Sequence, residues 1–188
     1  MRLEIRVAGF GGQGIIRAGL ILAMAACIYD KKKRNAVETQ SYGPESRGGA
    51  CKSEVVISEE EIDFPKIIEP DVLIAMSQEA YDRYVDSLKK GGTLLVDPDL
   101  VPKEKPTPHL QVFRVPAMKI AEELGRVIVA NVVMLGAFAS LTNLISGEAV
   151  RKSVLGNIPK GTEKLNLEAF EEGYKYGQEL QKKESGVK

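Results

Sequence analysis

The stretch that decides the fold class is 3-LEIRVAGFGGQGIIRAGLILAMAAC-27. Residues 3–8 alternate between apolar and polar and then become apolar, as a strand does when it enters a core. Residues 13–27 are dominated by Ala, Leu, Ile and Met with Arg17 as the single charge, which predicts a helix. Glycines fill the turn between them. This order opens nucleotide-binding α/β domains, so we predict a Rossmann-like three-layer fold with a mostly parallel sheet flanked by helices.

The middle of the chain repeats the alternation of strand and helix. Residues 71–77 (DVLIAMS) and 93–97 (TLLVD) are short apolar runs, typical of parallel strands covered on both faces. The amphipathic segment 78–92 between them predicts a helix and a right-handed crossover. Farther on, residues 131–145 are apolar on most helical faces. They are therefore expected to form a helix buried against the sheet or against a partner chain.

Composition indicates one ordinary globular domain. The chain has 188 residues, of which 44% are hydrophobic, and its 26 basic and 26 acidic residues give a net charge of +0. We predict a single domain over 1–183 and a frayed tail over 184–188. The charge balance argues against nucleic acid as a partner. The longest apolar run, 127–141, is shorter than the roughly 20 residues that span a bilayer, so no membrane segment is expected.

The cysteine content also limits the chemistry of the chain. Cys27 and Cys51 are the two cysteines, too few and too far apart for an iron–sulfur cluster or a structural zinc site. Free thiols in a reducing, cytoplasmic setting are therefore expected. His109, the single histidine, lies between prolines and a predicted strand, so a Ser-His-Asp or Cys-His system cannot be assembled.

The first glycine-rich turn has the spacing of a phosphate-binding fingerprint. Small residues let a phosphate approach the backbone, and the helix that follows presents free N–H groups and positive potential. The alternative is a tight strand-to-helix turn with no ligand. The candidate binding residues are Gly9, Gly11, Gly12, Gln13 and Gly14.

An NAD(P)-dependent oxidoreductase is the alternative enzyme class for this fingerprint. It requires an acidic residue at the end of the second strand to bind a ribose. Glu38 is the candidate, but its predicted strand over 35–40 is short and a long glycine-rich loop follows at once. The sequence therefore gives little support for NAD(P) binding.

A second glycine-rich stretch, 41-SYGPESRGGACKSE-54, follows that strand. Its position allows it to approach the carboxyl edge of the sheet, where α/β proteins bind ligands. An arginine flanked by glycines can pair bidentately with a phosphate or carboxylate. The alternative is an ordinary surface loop with a solvated arginine. The candidate residues are Tyr42, Ser46, Arg47, Gly48, Gly49 and Lys52.

Four stretches together resemble the gamma subunit of the 2-oxoacid:ferredoxin oxidoreductases, over residues 3 to about 180. The paired motifs GGQG and YGPESRGG are much more specific than a lone glycine fingerprint. The Tyr-Gly-Pro-Glu form most resembles the 2-oxoglutarate (KorC-like) branch. The stretches are EIRVAGFGGQGI (4–15), SYGPESRGGACKSEVVIS (41–58), IDFPKIIEPDVLIAMSQEAYDRY (62–84) and GGTLLVDPDLV (91–101).

The resemblance implies a subunit that is not active alone and carries no catalytic residue. The complexes of this family decarboxylate a 2-oxoacid on thiamine diphosphate, reduce ferredoxin through iron–sulfur clusters and transfer the acyl group to coenzyme A. Thiamine diphosphate, Mg and the clusters are expected on partner alpha, beta and delta-type subunits. The gamma part is implicated in holding coenzyme A near the thiamine centre.

The resemblance also suggests a role for each candidate residue. The N–H groups of 11–14 would receive a phosphate of coenzyme A, and Arg47 and Lys52 would pair with phosphate charge. Tyr42 and Ser46 would orient the pantetheine or contact another subunit. The alternative is a purely structural subunit whose glycines serve turns and tight contacts only.

Overall fold

A six-stranded sheet lies at the centre of the computed structural model, which describes residues 1–42 and 50–185. The strand order is β2-β3-β1-β4-β5-β6. Strands β1, β4, β5 and β6 run parallel to one another, whereas β3 pairs antiparallel with both β1 and β2. The strands are β1 (Arg2–Phe10), β2 (Asn35–Tyr42), β3 (Ala50–Ser58), β4 (Val72–Ala75), β5 (Thr93–Val96) and β6 (Gln111–Arg114).

Helices cover both faces of this sheet, which confirms the predicted three-layer α/β fold. A π-helical turn, Ala25–Tyr29, extends the first helix, and short 3-10 turns follow the second helix and precede the fourth. The helices are α1 (Ile15–Met24), α2 (Gln78–Tyr84), α3 (Ala117–Glu123), α4 (Ala130–Thr142), α5 (Gly147–Gly156) and α6 (Glu163–Ser185). Within the described residues, no helix combines the length and the apolar character that crossing a membrane requires.

The main hydrophobic core lies between one face of the sheet and α1, α3, α4, α5 and α6. Helix α4 is central to it, because every residue from Ala130 to Leu141 is buried, as the apolar pattern predicts. A smaller core joins α2 to β4 and β5 on the opposite face. The two helices that follow β1 and β4 therefore pack on opposite faces of the sheet.

Two details differ from, or extend, the sequence-based expectations. The predicted helix over 78–92 ends at Tyr84 and continues as a 3-10 turn to Ser87, because the strand β5 begins only a few residues later. Helix α6 runs to Ser185. The end of the predicted tail, 186–188, lies outside the described residues, and the division into domain and tail stays a prediction.

Candidate functional site

A large cavity opens at the carboxyl edge of the sheet, on the side of α1. Its volume is about 810 Å³, within the range of small-molecule sites. Three helices begin at its wall: α1, α4 and α6. The lining is mostly apolar, and the described residues that line it include two arginines and no Asp or Glu. This combination favours a ligand with an apolar body and negative charge.

The glycine-rich turn forms one wall of the cavity, where Gly11, Gly12 and Gly14 line it directly. Helix α1 begins immediately after this turn, and no side chain of the part of the chain that the structure describes caps its N-terminus. The uncapped N–H groups and the helix dipole give this wall a positive potential. A wall of this kind suits an anionic group.

Positive φ angles explain two of these glycines. Gly12 has φ 99° and Gly14 has φ 74°, in the left-handed region that side-chain-bearing residues rarely adopt. At Gly14 the space is also closed, because a Cβ there would lie 2.3 Å from Nδ2 of Asn131. That buried amide donates a hydrogen bond to the Gly14 carbonyl oxygen at 3.2 Å and so fixes the start of α4 against the turn.

Gln13 braces the turn and does not project into the cavity. Its Oε1 accepts a hydrogen bond from the Phe10 N–H at 2.7 Å, and its Nε2 donates to the Met76 carbonyl at 2.8 Å. The side chain therefore links the ends of β1 and β4 and stabilises the turn. Gly9 leaves room for it, since a Cβ at Gly9 would lie 2.3 Å from Oε1 of Gln13.

We expect Gln13→Leu to lower the free energy of unfolding by about 2 kcal/mol, because it leaves a backbone donor and a backbone acceptor without their partner. Urea denaturation of the full chain measures this. Gln178→Leu, at an exposed position of α6, is the matched control and should change stability by less than about 0.5 kcal/mol. Equal stability of the two variants would contradict the bracing role.

Arg17 and Arg126 supply the positive side chains of the cavity wall. Both are exposed, and neither side chain has a hydrogen-bond or ion-pair partner within residues 1–42 and 50–185. Neither arginine is among the site residues predicted from the sequence. The sequence offers one indication that Arg17 belongs to the site, because Arg17 is the single charge of an otherwise apolar helix. The sequence offers no such indication for Arg126, because only the fold brings the residues before α4 close to the glycine turn.

Cys51 lines the same cavity at the start of β3. Burial raises the pKa of its thiol, so the neutral form predominates at neutral pH. A protonated, buried thiol is a weak nucleophile. Cys51 therefore contributes apolar surface to the wall.

The second glycine-rich stretch is anchored at the same edge. Tyr42, the last residue of β2, pairs with Cys51, and Cys51 pairs with Gly9 of β1. The two strand ends that flank 43–49 therefore lie beside the glycine-rich turn. The predicted site residues Ser46, Arg47, Gly48 and Gly49 lie outside the described residues, as does the side chain of Tyr42.

Lys52 lies outside this cavity, contrary to the expectation that it pairs with phosphate there. Side chains alternate across a strand, so Lys52 faces the opposite side of the sheet from Cys51. Its Nζ forms an ion pair with Glu54 at 2.8 Å and lies 5.7 Å from the centre of the Tyr84 ring.

The geometry also argues against the NAD(P) alternative. In the dinucleotide-binding fold, the acidic residue that binds ribose ends the second strand beside the first. Here β3 lies between β1 and β2, so Glu38 is two strands away from the glycine turn. Its Oε1 already accepts a hydrogen bond from the Ser53 hydroxyl at 2.5 Å.

Comparisons with known proteins agree with the predicted resemblance. The family model described as pyruvate ferredoxin/flavodoxin oxidoreductase matches residues 4–176. The 2-oxoglutarate synthase subunit KorC of Methanocaldococcus jannaschii is 57% identical over 182 residues, which cover 96% of each chain.

Two solved structures share the fold. The gamma subunit of a keto/oxoacid ferredoxin oxidoreductase from Geobacter sulfurreducens is 46% identical, with a TM-score of 0.81 over 93% of this chain and 98% of that chain. The 2-oxoglutarate:ferredoxin oxidoreductase of Magnetococcus marinus, with 2-oxoglutarate, coenzyme A and succinyl-CoA bound, is 28% identical with a TM-score of 0.82. That match covers 95% of this chain but 31% of the longer one.

The glycine-rich turn, the α/β fold and these similarities point to the same family and the same branch. The family match covers most of the chain, and the Methanocaldococcus relative matches at nearly full length. The resemblance seen in the sequence is therefore confirmed. The chain belongs to the pyruvate ferredoxin/flavodoxin oxidoreductase family, as a gamma subunit of the 2-oxoglutarate type.

Proposed function

We propose that this subunit holds coenzyme A in the cavity beside α1 and presents the thiol to a reaction centre on partner chains. The observation that carries the proposal is the cavity itself, which combines an apolar lining, the N-terminus of α1 and two arginines, and among the described residues no side chain caps that helix or pairs with those arginines. The complex would convert 2-oxoglutarate, coenzyme A and oxidised ferredoxin into the succinyl thioester, carbon dioxide and reduced ferredoxin.

The cavity fits the chemistry of coenzyme A. The ligand carries a pyrophosphate and a 3′-phosphate on a nucleoside, together with a long pantetheine arm that ends in a thiol. The apolar walls, which include Ile15, Ile16 and Val132, suit the nucleoside and the arm. The start of α1, with Arg17 and Arg126, suits the phosphates, and the described lining offers no carboxylate to repel them.

The second glycine-rich stretch would complete the binding site. Its flanking strand ends, at Tyr42 and Ala50, lie at the edge where the glycine turn lies. We therefore keep Arg47 as a phosphate ligand, with Ser46, Gly48 and Gly49 beside it and Tyr42 as an orienting residue. Lys52 is left out of the proposed site, because Glu54 already pairs with it on the other face of the sheet.

The contribution of this chain to catalysis would be positional. Decarboxylation and electron transfer would be supplied by thiamine diphosphate, Mg and iron–sulfur clusters on alpha, beta and delta-type partner subunits. The two cysteines of this chain are fewer than the four thiolates that a cluster requires. Holding the thiol near the reaction centre replaces a bimolecular encounter by a local one. In the transfer the thiol sulfur would form the C–S bond of the thioester, the bond between the acyl carbon and its donor would break, and the thiol proton would be released.

Two features of the chain would protect this acceptor role. The neutral, buried thiol of Cys51 would not compete with coenzyme A for the acyl group, since burial raises the pKa of Cys51. The glycine turn is held rigid by Gln13 and Asn131, so the phosphate-binding N–H groups are positioned before the ligand arrives. The cytoplasmic setting inferred from the free cysteines stays a prediction.

We expect Arg126→Ala in the reconstituted complex to raise the KM for coenzyme A about tenfold, since an exposed arginine–phosphate contact is at the weaker end of charge-assisted hydrogen bonds. Steady-state kinetics with ferredoxin as acceptor measures this, and the KM for 2-oxoglutarate should stay unchanged. Arg47→Ala is expected to have an effect of similar size.

The matched control is Arg151→Ala on α5, which removes an exposed arginine paired with Glu171 away from the cavity. It should leave both KM values unchanged. A KM for coenzyme A that is unchanged in Arg126→Ala and in Arg47→Ala would contradict the proposal and favour the purely structural alternative.

A further inference from the structure

One buried amide in the cavity wall has an end without a partner. Asn166, on the first turn of α6, lines the cavity and is only 6% exposed. Its Nδ2 donates hydrogen bonds to the Thr162 carbonyl oxygen at 2.9 Å and to the Thr162 hydroxyl at 3.1 Å. Within residues 1–42 and 50–185, no donor reaches its Oδ1. Buried side-chain oxygens are nearly always hydrogen-bonded, so the donor for Oδ1 has to come from the contents of the cavity.

The hydrogen bonds around Thr162 determine which end of the Asn166 amide remains available. The Thr162 hydroxyl donates its single proton to the Pro159 carbonyl at 2.7 Å, so its oxygen can only accept from Asn166. The Thr162 carbonyl oxygen is an acceptor as well. Both atoms therefore require the NH2 end of the amide, and the oxygen end is left to the cavity.

A second buried amide of the same cavity provides the contrast. Asn131 donates from its Nδ2 to the Gly14 carbonyl, and its Oδ1 accepts a hydrogen bond from the Val132 N–H at 2.9 Å. Both ends of Asn131 are therefore engaged by the protein itself. Asn166 differs because one of its two ends has no such engagement within the described residues.

We propose that Asn166 is a specificity-determining residue, whose Oδ1 accepts a hydrogen bond from a donor on the uncharged part of the bound acyl carrier. This inference rests on the proposed function, since it takes the cavity as the acyl-carrier site. Ionised phosphate oxygens are acceptors and cannot pair with another acceptor, so Asn166 does not serve the phosphates. The donors that remain are the amino group and hydroxyls of the nucleoside and the amides and hydroxyl of the pantetheine arm. A ligand without the donor would leave Oδ1 unpaired and would bind more weakly.

The test uses the two halves of coenzyme A as competitive inhibitors of the reconstituted complex. Adenosine 3′,5′-bisphosphate carries the nucleoside, and 4′-phosphopantetheine with its thiol methylated carries the arm. Asn166→Leu should raise the inhibition constant of one half about tenfold and leave that of the other within twofold. A selective increase for the bisphosphate assigns the donor to the nucleoside, and a selective increase for the other half assigns it to the arm.

Asn157 is the matched control for the lost local hydrogen bonds. Its Nδ2 donates to the carbonyl oxygen of Ser153 at 2.8 Å and lies 3.5 Å from the Ser153 hydroxyl, which is the pattern of Asn166 and Thr162. Asn157 is not among the described residues that line the cavity. Asn157→Leu should therefore leave both inhibition constants within twofold of the wild-type values.

A second variant, Asn166→Ser, covers the case in which urea unfolding shows that Asn166→Leu is misfolded. The serine hydroxyl can return to the Thr162 carbonyl, as serines in helices do, but it is too short to replace Oδ1. It should give the same selective increase. No change in either inhibition constant, or equal changes in both, would overturn the proposed contact.

Failure of this contact and failure of the proposed function give different results. The proposed function is measured by the KM for coenzyme A in Arg126→Ala and Arg47→Ala. A raised KM in those variants, with no selective response in the Asn166 variants, would retain the cavity as the acyl-carrier site and remove Asn166 as its acceptor.

Discussion

Gly173→Ala should lower the free energy of unfolding by about 3 kcal/mol, although alanine is the better helix former. Gly173 lies on α6, where a Cβ would be 1.9 Å from the Val133 carbonyl oxygen of α4. Gly136 of α4 lies similarly close to α6, since a Cβ added at Gly136 would be 2.1 Å from the Phe170 carbonyl oxygen. Backbone atoms cannot move aside as a flexible side chain can, so the added methyl group must separate the helices.

Thermal and urea unfolding of the full chain will measure this change. Lys175→Ala, two residues away at an exposed position of the same helix, is the matched control and should change stability by less than about 0.5 kcal/mol. Helix propensity alone predicts that Gly173→Ala is stabilising by about 1 kcal/mol. A stabilised Gly173→Ala variant would therefore show that α4 and α6 are farther apart than described.

Glu54→Ala should lower the free energy of unfolding by about 4 kcal/mol, because it leaves a buried arginine without its counter-ion. Arg6 and Glu54 face each other on β1 and β3, with Nη2 of Arg6 2.6 Å from Oε1 of Glu54 and both side chains nearly inaccessible. The guanidinium also donates hydrogen bonds to the Ser87 hydroxyl and the Ile67 carbonyl, so it cannot turn outward without breaking them.

Denaturant unfolding of two further variants will separate the effect of the unpaired buried charge from the effect of the lost side-chain volume. The matched variant Glu54→Gln keeps the shape and one acceptor oxygen, so it should lose less stability than Glu54→Ala. The double variant Arg6→Leu/Glu54→Leu removes both charges together and should also lose less than Glu54→Ala alone. A double variant less stable than Glu54→Ala would show that the cost lies in packing.

The candidate site could be predicted in part from local sequence. The turn at 9–14 was predictable because its requirements are local: glycines where φ is positive, and an apolar helix that follows at once. Arg126 and Asn131 were not predictable, because they join the site through the packing of α4 against α1 across more than a hundred residues of chain. Gln13 was assigned to the ligand by its place in the motif, yet its hydrogen bonds go to the ends of β1 and β4.

Lys52 shows a different limit of sequence reasoning. Its closeness to Arg47 along the chain suggests a shared ligand, but strand geometry sends Lys52 and Cys51 to opposite faces of the sheet. Glu38 is a second example, because the antiparallel β3 lies between β1 and β2 and so separates Glu38 from the glycine turn. Strand order is a property of the whole sheet, so neither outcome can be read from a short motif.

The sequence by itself determined the fold class, the family, the glycine turn and the buried character of α4, because each depends on residue type and spacing within a short segment. Only the tertiary structure decided which side chains share the cavity and which strand ends lie beside the glycine turn. Those relations depend on strand order and helix packing, which bring distant segments together according to how the whole chain buries its apolar surface.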